Sequence, residues 1–207
     1  MDLNEIYEGV ISGNRDVVSA GVEEALAAGV EPSTLLFDAL IPAMSEVGAR
    51  FERNEFFVPE MLIAARAMQA GMVQLKPLLA ESGVEPVGKV SIGTVKGDLH
   101  DIGKNLVAMM MEGAGFEVED LGVDASPDKF VAAVQGGAQV LCMSALLTTT
   151  MPSMKTTIDA LVEAGLRDKT KILIGGAPVT QAYADQIGAD GYAPDASSAA
   201  RKAQDLL

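Results

Sequence analysis

The 207-residue chain has a single histidine, His100. It stands in Gly97-Asp98-Leu99-His100-Asp101-Ile102-Gly103-Lys104-Asn105, with one carboxylate two residues before it and another directly after it. An imidazole beside a carboxylate can move a proton, activate a nucleophile or give a nitrogen to a metal. Ser144 could serve as a nucleophile, but no Gly-x-Ser-x-Gly elbow surrounds it. Zinc asks for three or four His, Cys or carboxylate ligands, and one histidine with the distant Cys142 does not supply them. No Gly-x-Gly-x-x-Gly follows the apolar run Val90–Thr94, and no Gly-x-x-x-x-Gly-Lys-Ser/Thr occurs, so dinucleotides and P-loop nucleotides are disfavoured. What remains is one imidazole backed by Asp98. Such a group suits a metal that brings its other ligands with it, as in a tetrapyrrole. Asp98 can accept from the second ring N–H and fix the tautomer.

The elements around this stretch follow from the hydrophobic period. In the first half, Leu3, Ile6, Tyr7, Val10 and Ile11 recur at helical spacing, with Asp2 placed as an N-cap. A second helix is predicted over Arg15–Ala28, ending at Gly29. Pro32-Ser33 opens a third, striped by Leu36, Leu40, Met44, Val47 and Phe51, and Pro42 should kink or break it near Ile41. A fourth starts at Phe57-Val58-Pro59 and carries Met61, Leu62, Ala65, Met68, Met72, Leu75 and Leu79. Short connections make this an antiparallel four-helix bundle. Glu81–Gly88 is polar and glycine-rich, and reads as a linker between domains 1–86 and 87–207.

After the linker the period changes. Strands are predicted at Val90–Thr94, Phe116–Leu121, Gln139–Met143, Lys171–Ile174 and near Tyr192. Helices are predicted at Gly103–Gly113, Pro127–Gln135, Pro152–Gly165, Val179–Ile187 and Ala196–Leu207. Alternation of this kind gives a doubly wound, parallel, five-stranded sheet covered on both faces. Ligands bind such sheets at the C-terminal strand ends, near a topological switch. Four segments of unusual composition fall there: Gly97–Gly103, Ser144–Thr150, Gly175-Gly176 and Tyr192–Asp195. Together they argue for one large ligand.

The bulk composition narrows the classes. The net charge is −14, with fourteen acids and five bases before residue 87 and fifteen and ten after it. Nucleic acid and anionic membranes need a basic surface and are excluded as partners on this reading. Eleven methionines and no tryptophan mean an aliphatic, sulfur-rich core. The one cysteine, Cys142, sits in an apolar run and reads as a buried core residue. The chain opens Met-Asp-Leu-Asn-Glu, without a basic or apolar leader, and no apolar stretch nears the ~20 residues of a membrane span. The expected location is the cytoplasm.

Asp98-Leu99-His100-Asp101-Ile102-Gly103, followed by Ser144-Ala145-Leu146 and Gly175-Gly176 in that order, resembles the signature of the cobalamin-binding domain. The helical half resembles the cap domain of methyl-carrying corrinoid proteins through Phe56-Phe57-Val58-Pro59-Glu60-Met61 and Ala65-Arg66-Ala67-Met68. Across the whole chain the likeness is to the small corrinoid proteins of methylamine, methanol, betaine or aryl methyl ether (O-demethylase) systems. It extends to the cobalamin-binding module of methionine synthase.

This resemblance implies a cobalamin or related corrinoid, such as methylcobalamin, bound base-off with His100 as the axial cobalt ligand. It implies that Asp98 binds His100 and that Thr150 completes a relay with Asp98. Asp101, Ile102, Gly103 and Leu146 would lie against the cofactor, Asp101 also capping the next helix, with Lys104 and Asn105 as ordinary first-turn residues. Ser144 and Thr148 would line the slot for the displaced nucleotide tail, and Gly175 and Gly176 would let backbone approach it. Tyr192 and Asp195 would sit near the tail's ribose and phosphate, and Phe57 and Met61 would cap the methyl-bearing face. The chain would then be a non-catalytic carrier subunit. Cobalt(I) would accept a methyl group from a substrate:corrinoid methyltransferase, and a methylcorrinoid:acceptor methyltransferase would remove it from methyl-cobalt(III). A reductive activase would be a further partner, and the linker a hinge. Rival readings are an adenosylcobalamin-dependent sensor, which needs an output element, a mutase cofactor domain, which needs no helical cap, and a cofactor-free flavodoxin-like scaffold.

Overall fold

The computed structural model describes residues 2–207. It divides into two compact units, one running to Pro86 and taking in Gly113–Gly115, the other holding Val87–Glu112 and Phe116–Leu207.

The first unit is helical: α1 (Leu3–Ile11), α2 (Arg15–Ala27), α3 (Pro32–Leu35), a π-helical turn (Leu36–Leu40), α4 (Ile41–Glu52) and α5 (Val58–Glu81). Asp2 caps α1 by accepting from the Asn4 N–H. The path from Pro32 does not break at Pro42. A proline cannot donate to the carbonyl four residues back, and here the lost bond is absorbed by the wider π turn just before it. Counting that path as one helix, the unit is a four-helix bundle, with α2 packed against α1 and α5, and α4 against α1 and α5. Its core is Ile6, Val10, Val18, Val22, Leu35, Leu40, Met44, Met61, Met68 and Leu75.

The second unit alternates strand and helix: β1 (Lys89–Thr94), α6 (Ile102–Gly113), β2 (Glu117–Asp120), α7 (Pro127–Gln135), β3 (Val140–Ser144), α8 (Pro152–Glu163), β4 (Lys171–Gly175), α9 (Gln181–Ile187), β5 (Gly191–Tyr192) and α10 (Ala196–Leu206). The sheet order is β2-β1-β3-β4-β5, all parallel. β1, β3 and β4 are buried along nearly their whole length, as a parallel sheet covered on both faces requires. β2 is an edge, and its Glu117, Glu119 and Asp120 are exposed charges of the kind that deter pairing with another chain. The chain leaves β1 toward β2 and returns across it to β3. The switch point is therefore the crevice between the C-terminal ends of β1 and β3.

Candidate functional site

β1 ends at Thr94 and enters the loop that carries His100. The Val95 N–H donates to the Ser144 carbonyl at 3.0 Å, so the loop leaves in contact with the end of β3. Gly97 takes a left-handed φ of 86°, which turns the chain sharply. The Asp98 N–H donates back to the Val95 carbonyl at 3.1 Å, and the Thr94 hydroxyl donates to the His100 carbonyl at 2.8 Å.

Asp98 is fully buried, and five donors converge on its carboxylate. Oδ1 lies 2.7 Å from His100 Nδ1 and accepts the His100 backbone N–H at 3.1 Å. Oδ2 accepts the Thr150 hydroxyl at 2.6 Å and the backbone N–H groups of Leu146 at 2.8 Å and Leu147 at 3.3 Å. Burial works to raise the Asp98 carboxyl. The hydrogen bonds from Thr150, His100 and Leu146 outweigh it and hold the group well below the usual carboxylate range.

An ionised Asp98 can only accept, so the proton on the ring of a neutral His100 sits on Nδ1. The lone pair is then on Nε2. The His100 side chain is about half exposed at 51%, and Nε2 makes no hydrogen bond among the described residues. No group of three or more His, Cys, Asp or Glu that could hold an ion is found among the described residues. The donor set therefore fits a metal that needs one nitrogen from the protein. Gly103 is in keeping with this. It is not left-handed, and an added Cβ there would meet nothing within 4 Å, so nothing in the chain itself demands glycine three residues after His100.

The remaining site residues divide into three sets. Ser144, half-buried at the end of β3, and the exposed Thr148 make no side-chain hydrogen bond among the described residues and have hydroxyls to offer. Gly175 and Gly176 follow β4. At Gly176, with φ 129°, a Cβ would lie 1.9 Å from the Ala145 carbonyl oxygen, so the close approach here is between the β4 and β3 loops themselves. Leu146 contributes a backbone N–H to Asp98 and also an exposed side chain, and Leu99, Ile102 and Leu147 are exposed as well. Asp101 accepts the Asn105 N–H on its carbonyl at 2.8 Å and the Asn105 side-chain amide on its carboxylate at 3.2 Å.

The other expected site residues have places of their own in the fold. Both oxygens of Asp195 are taken by Ser198, its N–H at 2.8 Å and its hydroxyl at 2.9 Å, so Asp195 is the N-cap of α10. Tyr192 packs half-buried against the apolar core of the sheet. Met61 is fully buried, in the i, i+4, i+7 stripe Met61, Ala65 and Met68 that forms bundle core, and presents no surface. Phe57, just before α5, is 60% exposed. Lys104 is not an ordinary first-turn residue: it is buried, and its ammonium pairs with Asp120. The loop after β2 is a further omission: its Asp124 holds Gly97 and Asp98. It lacked a glycine pair or hydroxyl run, but its position at a C-terminal strand end beside β1 was the available signal.

The chain thus presents a flavodoxin-like sheet with one carboxylate-held imidazole at its switch point. Residues 88–201 and residues 2–76 match two families, each described as a B12 binding domain. The chain is 46% identical over 207 residues to the dimethylamine corrinoid protein of Methanosarcina barkeri, covering 99% of this chain and 97% of the relative. A cobalamin-binding protein of Desulfitobacterium hafniense superposes with a TM-score of 0.82 at 32% identity, covering 100% of this chain and 98% of that one. A chain of the methanol:cobalamin methyltransferase complex of Methanosarcina barkeri superposes with a TM-score of 0.87 at 33% identity, covering 99% of this chain and 78% of that one. The chain belongs to the family of B12-binding corrinoid proteins.

Proposed function

We propose that this chain is a corrinoid methyl carrier, receiving a methyl group from a substrate:corrinoid methyltransferase and yielding it to a second, methylcorrinoid:acceptor methyltransferase. When bound, a corrinoid supplies a cobalt centre that takes up and gives back the methyl group. The observation that carries the reading is the His100–Asp98–Thr150 chain of hydrogen bonds, with His100 Nε2 left free.

In this role His100 would supply the one protein nitrogen that holds the cobalt of a base-off corrinoid. Asp98 keeps the ring in the tautomer that exposes Nε2 and strengthens it as a donor. The hydrogen bonds from Thr150, His100 and Leu146 keep the carboxylate ionised, so the tautomer is set before the ligand arrives. Ser144 and Thr148 offer hydroxyls to the displaced nucleotide tail, and Gly103 leaves room beside the histidine. The full-length likeness to a dimethylamine corrinoid protein supports a methylamine as the first donor class to test. A reductive activase is a third partner on this reading. The single, buried thiol suits a reducing cytoplasm.

Reconstitution of the full chain with methylcobalamin is expected to give a base-off, His-on absorption spectrum, and His100→Ala to abolish it. A base-on spectrum, a colourless product, or an alanine variant with unchanged spectrum and affinity would overturn the reading.

A further inference from the structure

The residues considered so far hold the carboxylate of Asp98 from the β3 side of the switch. Its backbone is held from the other side, by the loop between β2 and α7. The Asp124 N–H donates to the Asp98 carbonyl at 2.9 Å, and Asp124 Oδ1 accepts the Gly97 N–H at 2.7 Å. Asp124 adopts φ 49°, and Asn54 is the only other non-glycine residue with positive φ among those described. That conformation is disfavoured for any residue with a Cβ, least for Asn and Asp. Glycine would adopt it freely but could not bind the Gly97 N–H. What aspartate adds at this position is therefore its side-chain acceptor.

The loop around Asp124 is itself anchored. The Thr94 N–H donates to the Gly122 carbonyl and the Ala125 N–H to the Thr94 carbonyl, both at 2.9 Å, and Val95 and Ala125 form an isolated parallel bridge. At its start, Asp120 accepts the Gly122 N–H at 2.8 Å on one oxygen and pairs on the other with the buried ammonium of Lys104. Lys104 lies on α6, four residues after His100. The segment Asp120–Ala125 thus grips the histidine loop at both its entry and its exit.

We propose that Asp124 is a positioning residue for His100: by holding Gly97 through its carboxylate and Asp98 through its N–H, it places the imidazole for axial ligation. This rests on His100 being the axial donor. The consequence concerns the loop rather than the fold. Without the Asp124 acceptor the Gly97 N–H is released, the turn that aims Asp98 loosens, and His100 spends less time where a cobalt ion could meet it.

The test compares full-length Asp124→Gly, Asp124→Asn and His100→Ala with the wild type. Both Asp124 variants tolerate the left-handed backbone, so misfolding from strain is avoided, and only Asn retains an acceptor oxygen. Three measurements are made: the Kd for methylcobalamin, the axial-nitrogen splitting in the paramagnetic resonance spectrum after loading with cob(II)alamin, and amide exchange at Gly97 in the ligand-free protein. Losing one hydrogen bond to a charged acceptor predicts about tenfold weaker binding in Asp124→Gly. The nitrogen splitting should fall, and Gly97 should exchange about tenfold faster. Asp124→Asn should lose no more than about threefold in all three, since its oxygen can still accept, though without the charge. Wild-type binding and splitting in Asp124→Gly would overturn the proposal, as would Asp124→Asn behaving like Asp124→Gly, which would make charge rather than the hydrogen bond the cause. Nitrogen splitting that survives in His100→Ala would instead overturn the reading of His100 as axial donor. The Gly97 exchange result does not depend on that reading.

Discussion

Replacing Asp98 by asparagine changes one atom, and the structure says which way the new group must turn. Oδ2 faces three donors, from Leu146, Leu147 and Thr150, while Oδ1 faces two, from the His100 ring and the His100 backbone. An amide has one acceptor oxygen. Turned toward the three donors, it leaves its NH2 facing His100. The His100 backbone N–H cannot accept and loses its partner. The ring Nδ1 can accept, but only by moving its proton to Nε2. The stability cost has two parts, each of order 1–3 kcal/mol: the loss of charge assistance in the remaining bonds, and an orphaned, partly buried N–H. Relief of the desolvation of a buried carboxylate offsets some of this, leaving about 3 kcal/mol, a large share of the 5–15 kcal/mol typical of a domain. The tautomer shift is worth about one hydrogen bond, so the form with a bare Nε2 should fall about fivefold. With a single histidine in the chain, nitrogen-15 NMR of the ligand-free protein reads this tautomer without ambiguity. Urea unfolding of the same sample reads the stability. A variant that keeps the proton on Nδ1 and unfolds within about 0.5 kcal/mol of wild type, the scatter of an ordinary surface substitution, would refute the role given to Asp98.

Two glycines should separate structure from ligand. Gly176→Ala puts a Cβ 1.9 Å from the Ala145 carbonyl oxygen in a left-handed backbone, and urea unfolding should show a loss of about 3 kcal/mol. Gly103→Ala meets nothing and lies early in α6, so it should leave stability unchanged or up to about 1 kcal/mol higher while weakening methylcobalamin binding. Burial pushes the Cys142 thiol up to about 12. The unfolded thiol ionises near 8.5, so the stability this group contributes is complete below about pH 8.5 and is lost as pH rises toward 12. At pH 8.5 iodoacetamide should label Cys142 only through unfolding, and labelling at the rate of a free thiol would contradict its burial.

The sequence carried the period of nearly every element and little of what joins them. Helical stripes and apolar runs place all ten helices and strands of the second unit to within two residues at most ends, because burial on one face or both leaves a mark in composition. Pro42 marked a disturbed helix, but whether the chain breaks or widens into a π turn depends on packing that no local signal records. At the site, residue types visible as unusual (a lone histidine, a hydroxyl run, paired glycines) were legible. Asp195 was legible as polar and near a strand end, yet an aspartate before a helix is equally the signature of an N-cap, and the cap is what formed. Leu147 was not legible, since it acts through a backbone group, and of the Asp124 loop only the position at a strand end was legible, since its carboxylate is indistinguishable in sequence from the chain's other acids.

That difference explains why the site sits where it does. β1 and β3 are neighbours whose crossovers leave in opposite directions, so their ends diverge and expose backbone N–H groups with no strand to accept them. Leu146 and Leu147 are two such groups, and a buried carboxylate from the β1 loop satisfies both. Once Asp98 is committed to closing the switch point, its second oxygen remains for His100, and the histidine is aimed by the same atoms that hold the sheet ends together. A fold that needs Asp98 for its own stability has a preorganised imidazole in the absence of any ligand, so little ordering cost remains to be met when a metal arrives. The same coupling means that a substitution at Asp98 cannot disturb the ligand without also loosening the crevice between β1 and β3.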